Sequence, residues 1–237
     1  MPAAPFFDTC TALVPVRGGS KGLPGKNLRK LAGTPLYQHA VRQGQRHAAR
    51  CVVSTDISEI LRDTGREDCE VLRRPADLAN DTTPMDDVIR HAIDTLEIAE
   101  GTMLLLQATS PLRLHADIQA ACDLFESGEH DLVMSVCRTD SSILKYGLLD
   151  GPVFNPVAGP AYCFSNRQAL PDVYRPNGAI YVFGIDWFRR NGGLAADKIG
   201  AVVMPEDRSI DIDTLADFEK VEAAWTASRG SDVSTDA

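Results

Sequence analysis

The chain has 237 residues, of which 33 are acidic and 24 basic for a net charge of −9; the length suits one large α/β domain, and the acidic balance argues against a broad nucleic-acid surface. Six scattered cysteines, with no Cys-x-x-Cys pair and no histidine cluster beside them, read as reduced thiols and not as zinc ligands. The opening MPAAPFFDTC lacks the cationic and apolar regions of a signal peptide, and no later apolar run reaches about 18 residues, so a cytoplasmic protein with no membrane partner is expected.

The apolar run Cys10–Val16 reads as a first strand, and it feeds RGGSKGLPGKN at residues 17–27. From Arg17 to Lys30 the chain carries Arg17, Lys21, Lys26, Arg29 and Lys30 and no acid, a local reversal of the overall sign. Glycines and cations after a strand turn backbone N–H groups and ammonium groups toward one point, which suits a polyphosphate. The spacing is neither a Walker A loop, because Ser20 stands where its first glycine belongs and Asn27 follows Lys26, nor Gly-x-Gly-x-x-Gly. Pro35 marks a helix start, 51–54 reads as a strand, and Met85, Val88, Ile89, Ala92, Ile93 and Leu96 fall on one helical face. Strands at 103–107 and 132–137 bracket a helix at 116–125. Over residues 138–177 the pattern breaks into Gly, Pro and polar residues, with a strand fragment at 146–149, as in an inserted lid or dimerisation arm. Strands at 179–183 and 201–204 and a helix at 215–225 close the series. The expectation is a single three-layer α/β/α domain over residues 1–228, with a mostly parallel sheet, that insert, and a disordered polar tail at 229–237.

In SIDIDT, residues 209–214, extended backbone puts Ile210 and Ile212 on one side and Asp211 and Asp213 on the other, the carboxylates about 7 Å apart. Such a pair suits Mg²⁺, which takes one or two carboxylates plus substrate phosphate oxygens. A second reading stays open: Thr214 and Asp217 have capping-box spacing, and Asp213 then serves a helix N-terminus. In LLLQATSPLR, residues 104–113, an apolar strand runs out into Gln107, Thr109, Ser110 and Arg113, side chains that emerge where open parallel sheets bind ligands. Turn chemistry explains that segment equally well, and STD at 54–56 and Arg73-Arg74-Pro75 also read as surface loop. Lys145, Arg167 and Arg175 are cations of the insert with few adjacent acids. With no Gly-x-Ser-x-Gly, the histidines do not suggest a hydrolase triad.

Taken in order, RGGSKGLPGKN, STD, RPADLANDTT at 74–83, LLLQATSPLR, RPNGAIY at 175–181 and SIDIDT resemble the acylneuraminate cytidylyltransferases, the CMP-sialic acid synthetases. The resemblance implies a nucleotidyltransferase fold of the GT-A-like, Rossmann-like kind, usually a homodimer. It also implies CTP and an acidic nine-carbon or related sugar as substrates, CMP-sugar and pyrophosphate as products, and Mg²⁺ as cofactor. Carried over by match, Arg17, Ser20, Lys21, Lys26 and Asn27 bind the triphosphate, with Lys21, Arg17 and Asp211 closest to the chemistry. Asp211 and Asp213 hold the metal, and Arg74, Asp81, Thr83 and Met85 line the cytosine pocket. Gln107, Thr109, Arg175 and Tyr181 contact the sugar acid, and Lys145 and Arg167 reach a neighbouring subunit's substrate. Met85 departs from the small polar residue usual at its position in that family. The competing readings are a CMP-Kdo synthetase, a GT-A glycosyltransferase, whose acidic motif generally lies mid-chain, and a non-enzymatic nucleotide sensor.

Overall fold

The computed structural model describes residues 6–63 and 69–232. Residues 1–5 of the opening segment and residues 233–237 of the expected tail lie outside them.

Strand β1 (Cys10–Val16) is the middle of a parallel core, with β2 (Arg50–Thr55) on one side and β4 (Thr102–Leu106) on the other, and β3 (Glu70–Arg73) outside β2. A hairpin of β6 (Gly147–Asp150) and β7 (Val153–Pro156) stands apart from this sheet. Beyond β4 come β8 (Val173–Gly184), β5 (Leu132–Thr139) and β9 (Ile199–Val203), giving seven strands in the order β9-β5-β8-β4-β1-β2-β3. Strand β8 runs antiparallel to both neighbours, and the other pairs are parallel. The mostly parallel sheet is therefore as expected.

Alternation along each strand divides the core in two, because successive side chains leave a strand on opposite faces. Cys10, Ala12, Val14, Val16, Leu104 and Leu106 join one cluster, covered by α1 (Leu36–His47), α2 (Ser58–Arg62), which adds Ile60, and α4 (His115–Glu126). Leu13, Met103 and Leu105 join the other, covered by α3 (Met85–Thr95) and α5 (Ile185–Asn191). These are the three layers. A third cluster, in which Leu23, Leu31, Leu36 and Leu112 meet Ile212, Phe218 and Val221, joins the loop after β1 to α6 (Leu215–Asp232). Chain ends far apart in sequence are thereby packed together beyond the carboxyl end of β1. Among the described residues no helix is long and apolar enough to cross a membrane.

Two expected boundaries need correction. The insert of 138–177 is narrower, because β5 continues to Thr139 and Val173 pairs with it while Pro176 pairs with Val136. Only residues 140–172 leave the sheet. Pro176 and Gly178 hide the strand in the sequence, since β8 carries a register shift between Pro176 and Tyr181 and Gly178 adopts a φ of 77° there. At the other boundary, α6 continues to Asp232, past residue 229 where the tail was expected to begin.

Candidate active site

The parallel strands deliver their loops to one edge, where Pro15, Arg17, Ser20, Lys26, Asn27, Arg74, Met85, Gln107 and Thr109 line a cleft of about 150 Å³. Most of the side chains proposed from the sequence for the nucleotide meet here. The cleft is polar in a particular way: Ser20 and Asn27 are buried, and neither Ser20 Oγ nor Asn27 Oδ1 meets a hydrogen-bond partner among the described residues. Buried polar atoms are normally satisfied, so a pair of orphans beside Arg17 and Lys26 marks a surface shaped for a ligand's polar atoms.

The loop at 17–27 is held by contacts that come from elsewhere in the chain. Gly18 N–H donates to Asp56 Oδ1 at 2.8 Å, and Asn27 Nδ2 donates to the Arg17 carbonyl at 2.9 Å. Thus STD, which also reads as surface loop, supplies in Asp56 an anchor for the loop. Gly22 lies so close to the Asp213 carbonyl that a Cβ there would collide with it, so glycine is needed for close approach. Lys26 Nζ closes the junction, donating to the Ile212 carbonyl at 2.6 Å and to Asp213 Oδ1 at 2.9 Å. The cationic loop and the late aspartates therefore converge.

Residues 209–214 are not a strand, yet the alternation survives. Ile212 is fully buried, Ile210 packs against the third cluster, and Asp211 and Asp213 face outward. Ile212 N–H donates to the Thr109 carbonyl at 2.9 Å, which joins this segment to the loop after β4. The Thr109 side chain hydrogen-bonds Asp211. Thr214 and Asp217 form the cap, with Asp217 Oδ2 accepting from Thr214 N–H at 2.9 Å and from its hydroxyl at 2.7 Å. The cap is real but consumes neither Asp211 nor Asp213.

Asp211 is exposed overall, yet partial desolvation of its carboxyl pushes it above the ordinary carboxylate range; a hydrogen bond from Thr109 opposes the shift and Asp213 adds to it. Tyr181 is raised by burial and then by the negative charge of Asp211. Arg74, read from the sequence as possible surface loop, is buried, with Nε on Ser54 Oγ (3.2 Å) and Nη2 on the Ser54 carbonyl (2.8 Å). Burial lowers its guanidinium to about 10, with Asp56 opposing the shift and Arg17 adding to it.

Other expected residues go elsewhere. Arg113, expected at the ligand mouth, is a buried brace: Nε donates to Gln43 Oε1 at 2.7 Å, and Nη1 donates at 2.8 Å to the Gln107 and Ala179 carbonyls. Asp81 faces the cationic loop, paired with Arg17 and, at 2.6 Å, with Lys21 Nζ. Thr83 Oγ1 donates to the Asp77 carbonyl at 3.3 Å. Lys145 Nζ donates to the Ser165 carbonyl at 2.6 Å and Arg167 pairs with Asp140 at 3.5 Å, both within the insert and away from the cleft. Exposed Arg175 turns Nη1 toward the Pro176 carbonyl at 3.5 Å.

Sequence reading missed a buried network around Asn177 of the RPNGAIY motif. Ser135 Oγ donates to Asn177 Oδ1 (2.6 Å), Asn177 Nδ2 to Ser209 Oγ (2.9 Å), and Ser209 Oγ to the Pro205 carbonyl (2.8 Å). It ties the bulge of β8 to the residue that opens SIDIDT, and so sets where Asp211 stands. The available signal was an Asn-Gly pair inside an apolar run.

The family model described as Cytidylyltransferase matches residues 11–149. The chain is 31% identical over 229 residues to CMP-N,N'-diacetyllegionaminic acid synthase of Legionella pneumophila, covering 89% of this chain and 94% of that one. It is 31% identical over 215 residues to post-translational flagellin modification protein B of Campylobacter coli, covering 87% and 90%. Against N-acylneuraminate cytidylyltransferase of Streptococcus agalactiae the identity is 31%, with 87% of this chain but 51% of the relative covered, so this chain spans about half of that protein. Among solved structures, CMP:2-keto-3-deoxy-manno-octonic acid synthetase complexed with CTP superposes with a TM-score of 0.68 over 93% of this chain and 100% of that one, at 16% identity, a likeness of fold. A phosphate-suited loop, a cleft at the carboxyl edge of a mostly parallel sheet and these matches agree: the chain is a nucleotidyltransferase enzyme and belongs to the cytidylyltransferase family.

Proposed function

We propose that the protein couples CTP to an acidic nine-carbon sugar of the sialic or legionaminic type, releasing pyrophosphate. The observation that carries this reading is the Lys26 junction, which sets Asp213 and the phosphate-suited loop on one rim of a cleft holding two orphaned polar atoms. Relatives whose names include N-acylneuraminate cytidylyltransferase and CMP-N,N'-diacetyllegionaminic acid synthase support the sugar class.

In this reading Arg17, Lys21 and Lys26 take the triphosphate oxygens, and Ser20 and Asn27 offer their unpartnered oxygens to the same ligand. Arg74 and Met85 border the base, and Gln107, Thr109 and Tyr181 face the sugar acid. The sugar's anomeric hydroxyl attacks the α-phosphorus in line and gives up its proton to solvent, a P–O bond forms, and the bond to pyrophosphate breaks with its electron pair leaving on that group. Catalysis is then mainly positioning and neutralisation of charge, because phosphoryl-type transfers leave the protein little covalent work. Asp211 and Asp213 fit Mg²⁺ by donor chemistry, two carboxylates at the rim of a phosphate cleft, and the ion would neutralise phosphate charge.

The insert supports a homodimer: Leu148, Leu149, Val157 and Phe164 are 70 to 90% exposed on residues 140–172, more apolar surface than a lone chain usually shows. A partner would cover this arm, and Lys145 and Arg167 would then serve the partner's sugar site. Six free cysteines support residence in the cytoplasm. Incubation with CTP, Mg²⁺ and a panel of acidic sugars while pyrophosphate is followed tests the reading. Release with N-acetylneuraminate or a legionaminate is expected, and CTP bound but returned unchanged with every acid would overturn it.

A further inference from the structure

Asp81 has two cations and no place in the chemistry above. Its carboxylate pairs with Arg17, which lines the cleft, and with Lys21 Nζ at 2.6 Å. Hydrogen bonds from Lys21 and then Arg17 hold its acid below the ordinary carboxylate range, so it stays charged wherever the protein works. The cations around it are crowded, since Arg17 pushes the Arg74 guanidinium down.

We propose that Asp81 is an internal competitor for the anion site: the triphosphate must take Arg17 and Lys21 from it, which makes the loop select highly charged ligands. The inference rests on reading residues 17–27 as the phosphate loop. A monophosphate with about two negative charges gains little over a carboxylate already seated, whereas a triphosphate offers more charge and more oxygens to the same two side chains. Returning to its cations, Asp81 then helps expel pyrophosphate after transfer. The geometry allows the exchange without unfolding the loop. Its neighbours are tied down independently: Asn80 Nδ2 donates to the Asp77 carbonyl at 2.7 Å, and Asn80 Oδ1 accepts from Thr82 N–H at 3.0 Å and Thr82 Oγ1 at 2.8 Å. Rotation of one short side chain frees both cations.

The test is Asp81→Asn, an isosteric change at an exposed position, with Asp81→Glu as the charge-preserving partner. Titration with inorganic pyrophosphate, CMP and CTP should show Asp81→Asn binding each more tightly, by about threefold or more given two exposed ion pairs removed, with the largest relative gain for CMP. In turnover the KM for CTP should fall while kcat stays level or drops as pyrophosphate lingers, and Asp81→Glu should move both back toward wild type. Unchanged or weaker binding in Asp81→Asn overturns the proposal and returns Asp81 to a ligand contact or a simple surface pair. Wild-type protein that binds neither CTP nor pyrophosphate would instead overturn the phosphate-loop reading itself.

Discussion

The cleft and the insert use their side chains in opposite ways. In the cleft, polar groups such as Ser20, Asn27 and Arg74 are buried, and apolar residues stay behind them in the three clusters. On the insert the apolar residues are outside, with Phe164 90% and Leu149 74% exposed, and the polar groups pair with one another, as Lys145 does with the Ser165 carbonyl. One region is finished by folding and open only to a small polar ligand. The other leaves apolar side chains open to solvent, which fits the proposed dimer arm. In the proposed reaction the nucleotide half would belong to the single chain, and the sugar half would draw in addition on a second copy.

The sharpest way to break this division is at the aspartates. Asp211→Ala and Asp213→Ala should each lower turnover by about a hundredfold, the scale of a lost preorganised charge, with a right-shifted Mg²⁺ titration. An unchanged metal response in both would remove the metal assignment, since the cap already has Thr214 and Asp217. Lys21→Ala should cost more than about tenfold in turnover with no change in thermal unfolding, because Lys21 is 84% exposed and packs against nothing in the core. Breaking the insert should act differently. Leu148→Asp combined with Leu149→Asp should weaken self-association by about thirtyfold in sedimentation, the size of a lost hot spot, while CTP binding is retained. A monomeric wild type would end the dimer proposal and leave the cleft untouched.

Legibility in the sequence followed the same division. Strands β1 and β4 were plain as short apolar runs buried on both faces, and the helices at 85–95 and 115–126 by a 3.6-residue period with one buried face, whereas the short edge strand β3, with Glu70 and Arg73 at its ends, gave no such signal. Cations without acids at 17–30 and alternation at 210–213 showed the cleft for an equally local reason. Partners far apart in sequence stayed hidden: Asp56 on Gly18, Asp81 on Lys21, and Asn177 between Ser135 and Ser209 join residues 32 to 60 positions apart. Strand β8 was cut short in the reading because its bulge carries Pro176 and Gly178, the residues that normally end strands. Asn177→Ala should accordingly cost about 1–3 kcal/mol in urea unfolding, by orphaning buried Ser135 and Ser209, and should displace Asp211 enough to reduce turnover as well.

The smallest effect tests whether the cleft sacrifices stability for its charge. Burial raises the Asp211 carboxyl in the folded chain above its unfolded value. A raised acid means that the fold prefers the neutral form: its stabilising contribution is complete below the unfolded value and is lost as pH rises through the folded one. At neutral pH the ionised Asp211, only partly offset by Lys26, is therefore a liability until a ligand's cation binds, and Asp211→Asn should raise Tm by about 1–2 °C. At pH values low enough that Asp211 is protonated in both the folded and the unfolded chain, the two melting curves should coincide. Adding CTP with Mg²⁺ should reverse the order at neutral pH, because only the carboxylate gains a ligand's counter-charge. A variant that melts lower than wild type at neutral pH without ligand would show instead that Asp211 is held in place for the fold, and the contrast between a cleft built for a ligand and an insert built for a partner would lose its clearest thermodynamic sign.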